Sequence, residues 1–410
     1  MAYIERAITP ILKRRVASSK CVLVTGARQV GKSTLVKHEF QNFNRANFDD
    51  RLTRLQAKEE PKLFFLNHPC PLFIDEVQKE NSILEDIKLI VDESEERGKF
   101  ILSGSQRLEL MKGMSESLAG RVSVSELAGL SLREIYGVKF NQHFVPSEKY
   151  MSEREQDLKP YQDIWKIIHK GSYPELYDIE RDWQEYYSSY VATYLERDIN
   201  ELIDADGTTF TKFLTAVAAR TGEMLNYANI AGDVGVSEPT IKKWISILER
   251  TGIVYLLQPY SASTLKRAVK APKIYFRDTG LACYLTRWLT ADTLKCSAVA
   301  GNMFATFMVS EILKSYTNEG KDYRFNIFYY RGKDKKATKE NEIDLVIEED
   351  GVLYPVEIKM SGNPKADMGA ANEILDKVEK KIRGLGVILC LIDKKTYLRE
   401  NLVALPIEYI

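Results

Sequence analysis

Cysteine is sparse and scattered in this chain. The 410 residues include five, Cys21, Cys70, Cys283, Cys296 and Cys390, with no C-x-x-C pair, and an odd number without paired spacing argues against both a disulfide framework and a zinc site. A reducing, cytoplasmic setting is the expectation. Net charge is also missing, because 58 basic side chains offset 58 acidic ones, which removes any global electrostatic pull on nucleic acid or an anionic membrane. Phosphate binding must therefore be local. Long apolar runs are absent: the longest near the end, Leu385 to Ile392, falls far short of a bilayer span, and the opening MAYIERAITPILKRR has no apolar core of signal-peptide length. Neither secretion nor membrane insertion is expected.

What is present is material for several cores. Apolar residues make up 44% of the chain, and its length exceeds the ~250 to 300 residues at which single cores stop growing. From Cys21 to about Tyr136, short apolar runs (CVLVT, PLFID, KFILS, RVSVSEL) alternate with longer mixed segments, the rhythm of an α/β unit with a parallel sheet. Residues 141–160 are polar and charged and read as a linker or exposed loop. Apolar spacing from Tyr161 to about Arg220 is helical, and a second mixed unit starts near Gly301. No internal repeat is visible.

Residues 26–33 read G-A-R-Q-V-G-K-S after an apolar run and before a helix-competent stretch, the context that a phosphate-binding loop requires. Backbone N–H groups of Gly26, Ala27, Arg28, Gln29, Val30, Gly31, Lys32, Ser33 and Thr34 can cradle the phosphates of ATP. Lys32 would neutralise the β- and γ-oxygens, and Ser33 would ligate Mg²⁺. The strand Pro71 to Ile74 ends in Asp75 and Glu76. Asp75 suits the Mg²⁺ shell and Glu76 the attacking water. A third strand ends in Ser103-Gly104-Ser105-Gln106, where Ser105, or nearly as well Ser103, is placed to read the γ-phosphate. Phosphoryl transfer also gains from an arginine, often a neighbouring subunit's. Arg121 and Arg197 are the candidates, and each is also placed to be a surface ion-pair partner.

Tyr227 to Leu257 carries Ala231, Gly235, Ile241 and Trp244 at helix-turn-helix offsets, with Ser237 as N-cap and Pro239 in the first turn. Lys242 and Lys243 lie on the outer face of the second helix, and an acid-free stretch supplies Lys266, Arg267, Lys270 and Lys273. These six are candidate DNA-phosphate contacts, laid out as a recognition helix and a wing. The bland reading is a packing module with a solvated basic loop.

Two alternating runs, Asn341 to Ile347 and Val352 to Lys359, flank Asp350-Gly351, a dipeptide that favours a two-residue hairpin turn. Opposed positions then sum to 701, so Asp344 faces Glu357 and Glu342 faces Lys359 on one face. Asp344 and Glu357 can bind Mg²⁺ or Mn²⁺, Lys359 can steady an attacking hydroxide, and Glu311 on the preceding helix can complete the site. A solvated hairpin face with acids paired to lysine is the alternative.

Together GARQVGKST, FIDEVQ, LSGSQ, SLAGR, YLERD, KIYFRDTGLACYL and the EID…VEIK hairpin give a chain that resembles, over nearly its whole length, the AAA-type ATPases with a C-terminal domain of unknown function 4143. The resemblance implies a P-loop AAA-type ATPase domain (1–140), a linker and helical lid (141–220), a winged helix-turn-helix (221–290) and a restriction-endonuclease-like α/β domain of the PD-(D/E)XK type (291–410). Glu342-Ile343 stands where the strict nuclease signature has Pro before Asp344. The expected activity is ATP hydrolysis coupled to DNA, branched DNA included, by a homo-oligomer such as a hexameric ring. The competing expectation is a nucleotide-controlled regulator or protein-remodelling ATPase with an inert nuclease-like scaffold.

Overall fold

The computed structural model describes residues 3–104, 118–177, 181–199, 205–261, 271–332 and 341–410. Five strands, β1 (Cys21–Thr25), β2 (Asn44–Asn47), β3 (Leu72–Asp75), β4 (Phe100–Gly104) and β5 (Val122–Glu126), form a sheet in the order β2-β3-β4-β1-β5. All its pairings are parallel. Strands β1, β3 and β4 are buried throughout, which explains their unbroken apolar runs. Alternation sends Val22, Val24, Phe73 and Ile101 to the face shared with Leu35 and Val36, and Leu23, Leu72, Ile74 and Leu102 to the face covered by Ile83, Ile87 and Val91. Every strand of this sheet ends toward one edge, and there the phosphate-loop sequence emerges from β1.

Three helices, Gly207–Ala218, Tyr227–Val234 and Glu238–Arg250, precede an antiparallel hairpin of β6 (Val254–Leu257) and β7 (Lys273–Phe276). Gly235 makes the turn at φ 84°, Ser237 caps the third helix through Thr240 N, and Ile241 and Trp244 are buried. All four residues sit as their spacing predicts.

The C-terminal unit opens with the helix Ala300–Glu319. It continues with β8 (Ile327–Gly332), β9 (Asn341–Glu349), β10 (Val352–Lys359), β11 (Ile382–Arg383), β12 (Gly386–Cys390), β13 (Thr396–Arg399) and β14 (Leu402–Pro406). The sheet order is β13-β14-β12-β10-β9-β8, with β11 also on β10. Asp350 and Gly351 turn at φ 49° and 82°, and the β9–β10 register runs from Val352 opposite Glu349 to Val356 opposite Leu345. Each pair sums to 701, as the sequence predicts, because a two-residue turn with both φ positive fixes the register.

Residues 141–160 correct an expectation. Phe144, Val145, Tyr150, Met151 and Arg154 are buried, and the segment is no exposed linker. Tyr150 Oη donates to Tyr409 O at 2.7 Å, Arg154 Nη2 donates to Glu408 O at 2.7 Å, and Phe144 N donates to Ser315 Oγ at 3.0 Å. Its buried Arg154 satisfies the Glu408 carbonyl, so polar composition here does not mark an unpacked linker.

Candidate nucleotide and acidic-cluster sites

The loop after β1 holds its shape through residues that adopt positive φ: Gly26 at 151°, Gln29 at 64° and Gly31 at 93°. A Cβ on Gly26 would meet Leu127 O at 2.2 Å, so only glycine fits where the loop passes β5. Gly31 caps the helix Lys32–Glu39, whose first-turn N–H groups face the loop and form an anion site.

Three side chains converge at the ends of β1, β3 and β4. Ser33 Oγ donates to Asp75 Oδ1 at 2.9 Å, and Ser103 Oγ donates to the same oxygen. Lys32 Nζ donates to Gly26 O at 3.1 Å and Ala27 O at 2.8 Å. Burial pushes its pKa down to about 8, against the opposite pull of Glu76 and Asp75. Glu76, at φ 55°, accepts from Gln78 Nε2 and lines the same cleft as Lys32 and Ser33. Ser33 Oγ and Asp75 Oδ1 are hard oxygen donors side by side, a set that fits Mg²⁺ sharing its shell with water and phosphate.

The cleft measures about 840 Å³, within the ~300–1,000 Å³ of small-ligand sites. A crevice of about 40 Å³ behind the loop, between Ala27, Leu127, Gly252 and Asp278, is too small for a nucleotide. Sequence reasoning missed several residues of the larger cleft: Tyr3, Arg6, Tyr177 and Arg181. Arg6 braces the loop, with Nη1 donating to Val30 O at 2.8 Å, Nη2 to Ala128 O at 2.7 Å and Nε to Glu134 Oε1 at 3.0 Å. Tyr3 stacks on His38 with centroids 3.7 Å apart. No local pattern marks these residues, since their contacts come from chain segments far outside any motif window.

Arg121 lies just before β5, at the sheet end away from the loop, and pairs with Asp92 in the open. It cannot serve its own chain's nucleotide. Arg197 belongs to the helical stretch Val191–Ile199, with its side chain outside the described residues. Ser105, Lys266, Arg267 and Lys270 also fall outside them. Lys242 and Lys243 are exposed; Lys242 Nζ pairs with Glu238 at 2.7 Å.

Two residues stand elsewhere than their sequence pattern suggests. Lys273 is 4% exposed and points into the C-terminal sheet, its Nζ 2.6 Å from Glu342 Oε1 and 3.8 Å from Asp344 Oδ1. Its buried ammonium is paired with the acids of β9 and is not an exposed wing cation. Glu311 faces the ATPase-side unit: Oε1 accepts from Lys314 Nζ at 2.6 Å and Oε2 from Leu132 N at 2.8 Å. Both of its carboxylate oxygens are taken by these partners.

Asp344, Glu357 and Lys359 do meet. Lys359 Nζ donates to Asp344 Oδ2 at 2.9 Å and to Glu357 Oε2 at 2.8 Å, while Ile358 N donates to Asp344 Oδ2 at 3.0 Å. Burial would raise the Asp344 pKa, but Lys359 and Lys273 hold it below the usual carboxylate range. Burial, with Asp344 adding to it, pushes Glu357 up to about 8. Among the described residues no group of three His, Cys, Asp or Glu side chains is placed to hold a metal ion. Nor, among them, is any helix long and apolar enough to cross a membrane.

Comparison with known proteins supports this layout. The AAA domain family matches residues 18–136, a domain of unknown function (DUF8612) matches 161–292, and a domain of unknown function (DUF4143) matches 300–410. One family thus spans both the expected lid and the expected helix-turn-helix. The uncharacterized protein Rv2008c of Mycobacterium tuberculosis (strain ATCC 25618 / H37Rv) is 26% identical over 375 residues, covering 89% of this chain and 76% of its own. The uncharacterized protein Mb2031c of Mycobacterium bovis (strain ATCC BAA-935 / AF2122/97) matches to the same extent. Among solved structures, the RuvB Holliday junction branch migration motor of Thermotoga maritima has 13% identity and a TM-score of 0.26, covering 61% of this chain and 88% of that one. AMPPCP-bound DnaA from Aquifex aeolicus has 12% identity and a TM-score of 0.27, covering 59% and 85%. Such scores carry no argument, whereas the family matches agree in order and extent with the two sheets. Residues 18–136 thus match the AAA domain family and residues 300–410, C-terminal to them, the domain of unknown function 4143.

Proposed function

We propose that the protein hydrolyses ATP and couples the reaction to DNA, branched DNA included, as a homo-oligomer. The observation that carries the ATPase reading is the convergence of Lys32, Ser33, Asp75 and Ser103 where β1, β3 and β4 end. Lys32 leaves its loop carbonyls to neutralise the β- and γ-oxygens, Ser33 and Asp75 hold Mg²⁺, and Glu76 orients the attacking water. A bound Mg²⁺, which Ser33 and Asp75 would hold, would supply charge neutralisation to the transferring phosphate. Ser103, fixed on Asp75, takes the positioning role considered for Ser105. Arg121, exposed on the far end of the sheet, suits a site on a neighbouring copy.

The DNA part rests on the three-helix and hairpin unit, read as a winged helix, with Lys242 and Lys243 on its open face. Competition between a four-way junction and matched duplex for the full chain, at fixed salt, tests it. Tighter junction binding that weakens in Lys242→Ala/Lys243→Ala supports the reading, and equal binding of both DNAs contradicts the branched-DNA claim. One observation favours the regulator alternative: the hairpin acids already have ammonium partners, as an inert scaffold would.

A further inference from the structure

We propose that Tyr186 is a positioning residue for the phosphate loop, one that makes nucleotide affinity depend on the docking of the aromatic helix Trp183–Tyr190. The inference rests on the nucleotide reading of that loop and adds the part of the chain that holds it. Gln29 stands in the loop at φ 64°, a left-handed conformation that strains any residue with a Cβ. Its side chain is open to solvent, and its Oε1 accepts a hydrogen bond from Tyr186 Oη at 2.8 Å. One such bond is comparable in size to the strain it offsets. Beside it, the guanidinium carbon of Arg28 lies 5.5 Å from the centroid of the Tyr194 ring. Arg28 and Gln29 both line the nucleotide cleft. Two consecutive loop side chains are therefore engaged by tyrosines of another unit of the chain.

The helix is fixed independently of the loop. Tyr187 is fully buried, and its Oη donates to Asp278 Oδ1 at 2.6 Å. Asp278 Oδ2 also accepts from Ser172 N at 2.6 Å and Ser172 Oγ at 2.8 Å. A Cβ on Gly171 or Gly280 would meet Tyr187 Oη at 2.2 Å, so the backbone closes around this hydroxyl. Tyr173 Oη donates to Tyr190 Oη at 2.8 Å, one turn beyond Tyr186. Held in this way, the helix presents Tyr186 to Gln29 at a set place. Successive N–H groups form an anion-binding concavity only with the alternating backbone that a left-handed residue supplies. Release of Gln29 to negative φ thus spoils the phosphate site without touching Lys32 or Ser33. Because the loop grips substrate and transition state alike, its loosening raises KM and spares kcat.

Titration of the full chain with a fluorescent ATP analogue and Mg²⁺, alongside steady-state hydrolysis without DNA, tests this. Tyr186→Phe keeps the ring and removes only the hydroxyl. It should raise Kd and KM by about threefold to tenfold and leave kcat within about twofold. Adding Gln29→Gly, which takes positive φ without strain, should recover the affinity that Tyr186→Phe loses. Tyr173→Phe removes a hydroxyl of the same aromatic cluster that does not reach the loop, and should lower the melting temperature without changing Kd. Wild-type Kd in Tyr186→Phe would overturn the proposal, as would a loss that persists with Gln29→Gly or that Tyr173→Phe reproduces. If the wild type itself binds no nucleotide, the ATPase reading falls and this inference with it; if it binds and Tyr186→Phe binds equally, only the positioning role falls.

Discussion

Arg277 Nη1 donates to Glu126 Oε1 at 2.5 Å, joining the end of β7 to the end of β5. Glu126 stands opposite Thr25 in the β1–β5 register, immediately before the first glycine of the phosphate loop. The strand whose first residue, Lys273, enters the acid cluster is followed directly by a residue tied to the edge of the nucleotide site. Arg277 also donates to Tyr323 Oη, so one guanidinium fastens three parts of the chain. Burial disfavours its charge, but Tyr323 and Glu126 outweigh this and raise its pKa.

Arg277→Met should lower the unfolding free energy by roughly 2–3 kcal/mol, because it removes the charge-assisted hydrogen bonds that Arg277 donates from a part-buried position to Glu126 and Tyr323. The double variant with Glu126→Gln should cost less than the sum of the two singles. Urea unfolding followed by circular dichroism reads both. Strict additivity would show that the pair has no coupling.

Gly26→Ala should be among the most damaging small changes. Positive φ alone costs of order 1–3 kcal/mol in strain, and the new Cβ would meet Leu127 O at 2.2 Å. Titration with a fluorescent ATP analogue should show loss of binding. Near-normal affinity would mean that the loop can move off β5.

The buried pair Arg6–Glu134 gives a pH prediction. Burial works to raise the Glu134 pKa, yet Arg6 and the N–H groups of Ser131 and Ala7 together hold it below its usual value. The folded pKa is thus depressed. Its contribution is fully present above the unfolded value of about 4.3 and is lost as pH falls through the folded value. Glu134→Gln should destabilise the protein at pH 7 by about 3 kcal/mol and flatten the acid limb of the stability profile. An unchanged acid limb would assign it to other carboxylates.

The phosphate loop, the acid-ended strand and the β9–β10 hairpin were legible because each is local: glycine spacing, a strand with its terminal acids, and a two-residue turn that fixes a register. Lys273 and Glu311 were misread for the opposite reason. Each sits in a local pattern, a basic run and a helix before the hairpin, but Lys273 pairs with acids of another unit and Glu311 with Lys314 of its own helix and Leu132 N of another unit. Arg6 was invisible, since its acceptors at Val30 and Ala128 are assembled by tertiary packing. The segment 141–160 misled through composition, its buried arginine donating to Glu408 O near the chain end and to Asp157 O within the segment.

Steady-state ATP hydrolysis tests the central claim most directly, measured for the wild type and Lys32→Ala with no DNA, single strand, linear duplex and a four-way junction at one salt concentration. The account predicts Mg²⁺-dependent hydrolysis that one DNA form stimulates, and loss of both basal and stimulated rates in Lys32→Ala by about a hundredfold or more. Hydrolysis that persists in Lys32→Ala would contradict the nucleotide site. Hydrolysis lost in Lys32→Ala but indifferent to every DNA would contradict the coupling to DNA.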